Sequence, residues 1–136
     1  MSVRHIVVTA SLILALGVPL SATAASAAPA PSQGGGAVSA TGSCSSAGTW
    51  KLKAKHDKAL IQVEAEVDTN QVGQVWSWTL RDNTVKVASG TARTVATSGS
   101  FTVHRLIANR AGTDRISLRA TNAATGQVCT GTVSLP

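Results

Sequence analysis

The sequence predicts an all-β protein, a seven-stranded antiparallel sandwich of two sheets, and three observations carry that prediction. Apolar and polar residues alternate with period two through nearly all of the chain beyond residue 44. Such alternation is the mark of strands with one buried and one solvated face. Clusters of Asn, Asp, Gly and Ser interrupt the alternation at regular intervals, as turns do. No stretch of the same region repeats its apolar residues at helical spacing.

The elements follow in order. Trp50, Leu52 and Ala54 alternate with Lys51, Lys53 and Lys55 to give a first strand. A turn at His56-Asp57-Lys58 leads into Ile61, Val63, Ala65 and Val67, which alternate with Gln62, Glu64 and Glu66. Folded as a hairpin, this pair sets a lysine row beside a glutamate row. Opposite charges across strands contribute about 0.2 to 1 kcal/mol each and help to fix register.

After a loop at Asp68–Gly73 comes the run Val75-Trp76-Ser77-Trp78-Thr79-Leu80. Period two places Trp76, Trp78 and Leu80 in one apolar row. The other face, Ser77, Thr79 and Arg81, is the more polar, so the indoles are expected to anchor the core. Asp82-Asn83 is expected to form a tight turn, since both residues tolerate positive φ. Thr84 to Ala92 returns as a strand with Val85 and Val87 on one face. Phe101-Thr102-Val103-His104 follows the turn Thr97-Ser98-Gly99-Ser100. Parity breaks at Arg105-Leu106-Ile107, where a β-bulge would return Leu106 to the core. After the loop Asn109–Asp114, Ile116, Leu118 and Ala120 face inward. Beyond the turn Asn122–Gly126, the last strand carries Cys129, Val133 and Leu135 on one side.

The amino-terminal region reads differently. Arg4 and His5 precede an apolar stretch from Ile6 to Leu20, and small residues follow from Ser21 to Ala28. This is the pattern of a secretory signal peptide over residues 1–27. The apolar stretch is shorter than the roughly 20 residues of a membrane span. Residues 28–43, rich in Ala, Pro, Ser and Gly, read as a flexible tether that cannot bury enough apolar surface to order itself. A single domain is then expected over 44–136. The two cysteines, Cys44 and Cys129, are expected to pair in an oxidising compartment and tie the first and last strands together. A loop that long contributes about 4 to 5 kcal/mol in the chain-entropy model.

Charge and motif searches narrow the function. The 12 lysines and arginines less Arg4, against six acids, leave the exported chain at +5. That favours anionic surfaces such as wall polymers or extracellular polysaccharides. No basic cluster is interleaved with aromatic residues, so nucleic acid is not an expected partner. No serine stands in a nucleophile motif, and Glu64 and Glu66 face lysines, which makes them poor general acids. Asp68-x-Asn70-x-x-Gly73 opens like a calcium loop, but Val72 holds the fifth position and Thr79 the twelfth, where a bidentate glutamate is required, so an Asx turn is expected. Neither a metal nor a cofactor is expected.

Several segments resemble a known group. Gly73-Gln74-Val75-Trp76-Ser77-Trp78, Ser98-Gly99-Ser100-Phe101, Asn109 to Asp114, Arg119-Ala120-Thr121-Asn122 and Thr125-Gly126-Gln127-Val128-Cys129 are similar to segments of small exported actinobacterial proteins. The resemblance covers Cys44 to Leu135. It implies an immunoglobulin-like sandwich and an exported location, and it implies no site residues. The chain departs from antibody-type domains in placing its cysteines at the ends of the domain and in having no tyrosine.

The expected function is therefore that of a secreted, non-enzymatic binding or structural module at or outside the cell surface. Its candidate ligand surface comprises Ser77, Thr79 and Arg81, together with Lys51, Lys53 and Lys55. A carbohydrate-binding accessory module using exposed tryptophans is the second reading. A secreted toxin or enzyme inhibitor ranks lower, because the loops are short.

Overall fold

The computed structural model describes residues 36–136, so the signal peptide expected over 1–27 and the tether up to residue 35 lie outside the described residues. Eight strands are present: β1 (Val38–Ser43), β2 (Thr49–Asp57), β3 (Leu60–Asp68), β4 (Val75–Asp82), β5 (Val85–Arg93), β6 (Ser100–Ala108), β7 (Asp114–Thr121) and β8 (Val128–Leu135). They form two four-stranded antiparallel sheets, ordered β1-β2-β3-β6 and β5-β4-β7-β8. The chain changes sheet after β3, β5 and β6, so β3 pairs with β6 and β4 with β7 across long connections.

The count of seven strands is thus corrected to eight. The additional strand, β1, lies inside the stretch read as tether, and Cys44 follows it instead of preceding the first strand. Composition concealed β1 for a physical reason. Its inward residues, Val38, Ala40 and Gly42, are small because a neighbour supplies the bulk. Gly42 pairs with Trp50 on β2, and a Cβ built on Gly42 would lie 2.7 Å from the indole. An aromatic ring laid over a cross-strand glycine shields backbone that would otherwise face water. Gly90 plays the same part under Trp78 on the other sheet, with 2.9 Å from its built Cβ to the ring.

The predicted indole row packs between the sheets. Trp76 is 0% and Trp78 3% exposed, and Leu80 continues the row. Trp76 meets Phe101 of the facing sheet, ring centroids 6.2 Å apart and tilted by 45°, an arrangement favoured by the aromatic quadrupole. Leu52, Ile61, Val63, Val67, Ile116, Leu118 and Leu135 fill the rest of the core.

Two local expectations are overturned. No bulge interrupts the β3–β6 pairing: Val63 faces Arg105, Ile61 faces Ile107, and Leu106 is 58% exposed on the outer face. Arg105 takes the inward row and places its guanidinium 4.8 Å from the Trp78 ring centroid. At an open edge a long side chain can cover apolar surface with its stem and keep its charge in water. The irregularity lies instead between Leu80 and Arg81, in the pairing of β4 with β5. The β4–β5 turn is Asn83-Thr84, with Asn83 at φ 56°, and Asp82 ends the strand fully buried.

The Cys44–Cys129 disulfide is formed, with Cα atoms 4.2 Å apart. It fastens the end of edge strand β1 to edge strand β8 of the other sheet. Beside it, the Ser45 N–H donates to the Val128 carbonyl at 2.7 Å, and the Val128 N–H to Ser45 Oγ at 2.9 Å. At the same end of the sandwich, where Asp68 pairs with Thr49, the expected Asx turn is present. Asp68 Oδ1 accepts the Asn70 N–H at 3.0 Å, with Asn70 at φ 58°.

Candidate functional site

The six basic and polar residues picked out in the sequence fall on opposite faces of the molecule. Lys51 stands directly across from Glu66 and Lys53 from Glu64, while Lys55 faces Gln62. Glu64 Oε2 also lies 3.7 Å from His104 Nδ1 on β6. The lysine row is a charge-balanced outer face of the first sheet.

Ser77, Thr79 and Arg81 stand on the outer face of the second sheet, where the balance is absent. Period two on β7 turns Arg115, Ser117, Arg119 and Thr121 outward. Register then places Arg119 across from Thr79 and Ser117 across from Arg81. On the other flank Lys86 of β5 faces Arg81. On β8, Thr130, Thr132 and Ser134 extend the row of hydroxyls beside Arg119, Ser117 and Arg115. None of the six acids shares this surface: Asp57, Glu64, Glu66 and Asp68 belong to the first sheet, and Asp82 and Asp114 point inward, fully buried.

Arg81 is the centre of this cluster. Lys86 is its direct cross-strand partner, and Arg115 and Arg119 are its two diagonal neighbours, a separation of roughly 7 to 8 Å in an antiparallel pair. Like charges directly opposite one another destabilise a sheet. Here the repulsion stands without a carboxylate to relieve it. The Arg81 guanidinium is held by donation from Nη1 to the Thr84 carbonyl at 3.2 Å, which leaves its other N–H groups for a ligand. No aromatic side chain lies on the face, since all three indoles and Phe101 belong to the inward rows.

Beneath the cationic cluster lies a buried polar group that the sequence had not indicated. Asp82 and Asp114, both 0% exposed, converge on Arg110 of the β6–β7 loop. Arg110 Nε is 3.1 Å from Asp82 Oδ2, and its backbone N–H donates to Asp114 Oδ1 at 3.3 Å. Two neighbouring buried carboxyls with a single guanidinium, on Asp82, cannot both be ionised cheaply. Burial foremost, and then Asp114, hold the Asp82 carboxyl above its ordinary value of 3.8, against the opposing pull of Arg110. A proton on Asp82 supplies a donor beside Asp114 Oδ2, which otherwise has no hydrogen-bond partner.

The sign of the pH effect follows. Between 3.8 and its raised value, Asp82 holds more proton in the folded than in the unfolded chain, so this group's contribution to stability falls as pH rises through that window. Asp82→Asn is expected to remove the loss. Its stability relative to wild type should grow with pH by at most about 1.4 kcal/mol per pH unit inside the window and level off above it. Urea unfolding from pH 3.5 to 8 measures this, and a constant difference would contradict it.

No family model, curated protein or solved structure matches the chain. The assignment of the site therefore rests on its geometry. Among the described residues, no group of three or more His, Cys, Asp or Glu is placed to hold a metal ion. Sequence alone does not group Arg115, Arg119 and Lys86 with Arg81, because the four are spread over β4, β5 and β7. Asp82 and Asp114 were read as turn and loop residues, yet parity marks both: Asp82 continues the row of Trp76, Trp78 and Leu80, and Asp114 begins that of Ile116, Leu118 and Ala120.

Proposed function

We propose that this chain is a secreted, non-enzymatic binding module that holds an anionic polymer of the cell wall or extracellular matrix on the outer face of its second sheet. The observation that carries the reading is the cluster of Arg81, Lys86, Arg115 and Arg119, set among hydroxyls with no carboxylate on the same face. Guanidinium groups suit phosphate, sulfate and carboxylate alike, by charge and by paired N–H donation. Serine and threonine hydroxyls beside them can bond sugar or polyol oxygens.

Export rests on the pattern of residues 1–27, and a formed disulfide is compatible with it. Among the described residues no helix is long and apolar enough to cross a membrane. The immunoglobulin-like assignment is part of the same proposal and is supported by the pairing of β3 with β6 and of β4 with β7. The reading that used exposed tryptophans has less support, because Trp76 and Trp78 are buried and only Trp50 is partly exposed.

Retention of the purified protein on dextran sulfate and on isolated cell-wall polymer tests the proposal. Retention should fall steeply with salt, as for any ligand held by several ion pairs. Arg81→Gln with Arg119→Gln should lower affinity at least tenfold, whereas Lys51→Gln with Lys53→Gln should change it less than twofold. Equal losses from the two pairs, or no retention at low salt, would sink the reading. Stronger retention on double-stranded DNA than on the wall polymer would redirect it to nucleic acid.

A further inference from the structure

The buried carboxyl pair lies immediately behind the cationic face. Asp82 follows Arg81 in β4, and Asp114 precedes Arg115 in β7, so each inward carboxyl is the chain neighbour of an outward guanidinium. We infer that the Asp82–Asp114 pair sets the strength of the anion-binding face according to pH: a retained proton keeps the face strongly cationic, and its loss places a negative charge behind Arg81 and Arg115 that weakens binding. This inference rests on the proposed polyanion site and concerns its regulation.

The geometry carries three parts of the argument. The pair is fully buried, so a charge gained there is screened by protein and not by water, and its field reaches the face. The Arg110 guanidinium meets Asp82, whereas Asp114 has only the Arg110 backbone N–H. The segment containing both acids is stiff, because the Asn83 N–H donates to the Arg115 carbonyl at 2.8 Å and the Arg115 N–H to Asn83 Oδ1 at 3.3 Å. A change of charge at the pair is therefore felt at Arg81 and Arg115 through fixed distances.

Other ionisable groups stand at this end, Lys58 in the turn after β2 among them. Lys86 of β5 points to the outer face near Arg81. On β2, His56 faces Asn109 and the carbonyl of Pro136, which follows β8, and Asp57 ends the strand beside it. Neither acts on Asp82, whose charged neighbours are Asp114 and Arg110. Linkage makes the coupling reciprocal: a polyanion on the face should raise the pair's hold on its proton, so binding should take up protons.

The test measures affinity for dextran sulfate, whose sulfate esters stay ionised throughout, from pH 4 to 8 at fixed ionic strength. Wild type should bind about two- to fivefold more weakly on the alkaline side of the transition, the effect of one charge at close range in a partly screened medium. Asp82→Asn and, separately, Asp114→Asn should flatten the profile, whereas His56→Gln should leave it in place. Calorimetry in two buffers of different ionisation enthalpy should show proton uptake by wild type and little by Asp82→Asn. A flat wild-type profile, or an unchanged profile in either Asn variant that folds, overturns the inference while leaving the binding face intact. No binding at any pH overturns the binding face itself, and the inference with it.

Discussion

Removal of the disulfide by Cys44→Ser with Cys129→Ser should lower stability by about 4 kcal/mol, the largest single loss expected from any change at the edge between β1 and β8. The bond closes a loop with a sequence separation of 85 residues, and its effect falls on the unfolded chain, which regains the freedom that the cross-link denied it. The native edge should persist, because the two hydrogen bonds between Ser45 and Val128 and the burial of Trp50 do not depend on sulfur. In thermal unfolding, the expected fall in midpoint is on the order of 20 °C for a domain of this size. Refolding should slow more than unfolding accelerates, since the contacts restrained by the bond join distant parts of the chain. A fall of only a few degrees would show that the wedge of Trp50 and its glycines, and not the covalent link, holds the edge closed.

The architecture was legible wherever period two governed. The hairpin of Lys51, Lys53 and Lys55 against Glu66, Glu64 and Gln62 has the register that its charges imply, and the indole row is buried as its parity requires. Local signals failed where a side chain's surroundings come from a distant strand. β1 looked like a linker because its inward residues are small, and they are small because Trp50 already occupies the space over Gly42. Arg105 looked like a break in the pattern because nothing nearby in sequence shows that Trp78 lies within reach of its guanidinium.

The site was legible only in half. Ser77, Thr79 and Arg81 were found as the polar side of one strand, but the cluster around Arg81 is assembled across β4, β5 and β7, and register alone reveals it. The lysine row is the more visible basic feature and is the charge-balanced one, since its glutamates stand opposite. A formal charge of +6 says that cations are in excess. Only the fold says where: the acids gather on the first sheet or in the interior, and the excess falls on the face that has none.

The same separation of faces depends on the sandwich staying closed at its disulfide edge, and there the decisive contact is that of Gly131 with Trp50. A Cβ built on Gly131 would lie 2.4 Å from the indole, while one on Gly42 would lie 2.7 Å from the ring on its other side. The ring is therefore gripped between edge strands of the two sheets, which a disulfide joins a few residues away. Gly131→Ala should cost about 1 to 3 kcal/mol through overpacking, and Gly131→Val more, because neither β8 nor the indole can retreat without disturbing its partner. Trp50→Leu removes the obstructing ring at a cost of its own, from lost burial. In that background Gly131→Ala should be nearly neutral, so the two costs are strongly non-additive, with a coupling of about 1 kcal/mol or more in urea unfolding. Simple additivity would mean that the glycine serves only the backbone of β8. Strong coupling means that an indole in β2 determines the residue in β8, so that side-chain packing, beside the disulfide and the Ser45–Val128 hydrogen bonds, holds the two sheets in one register.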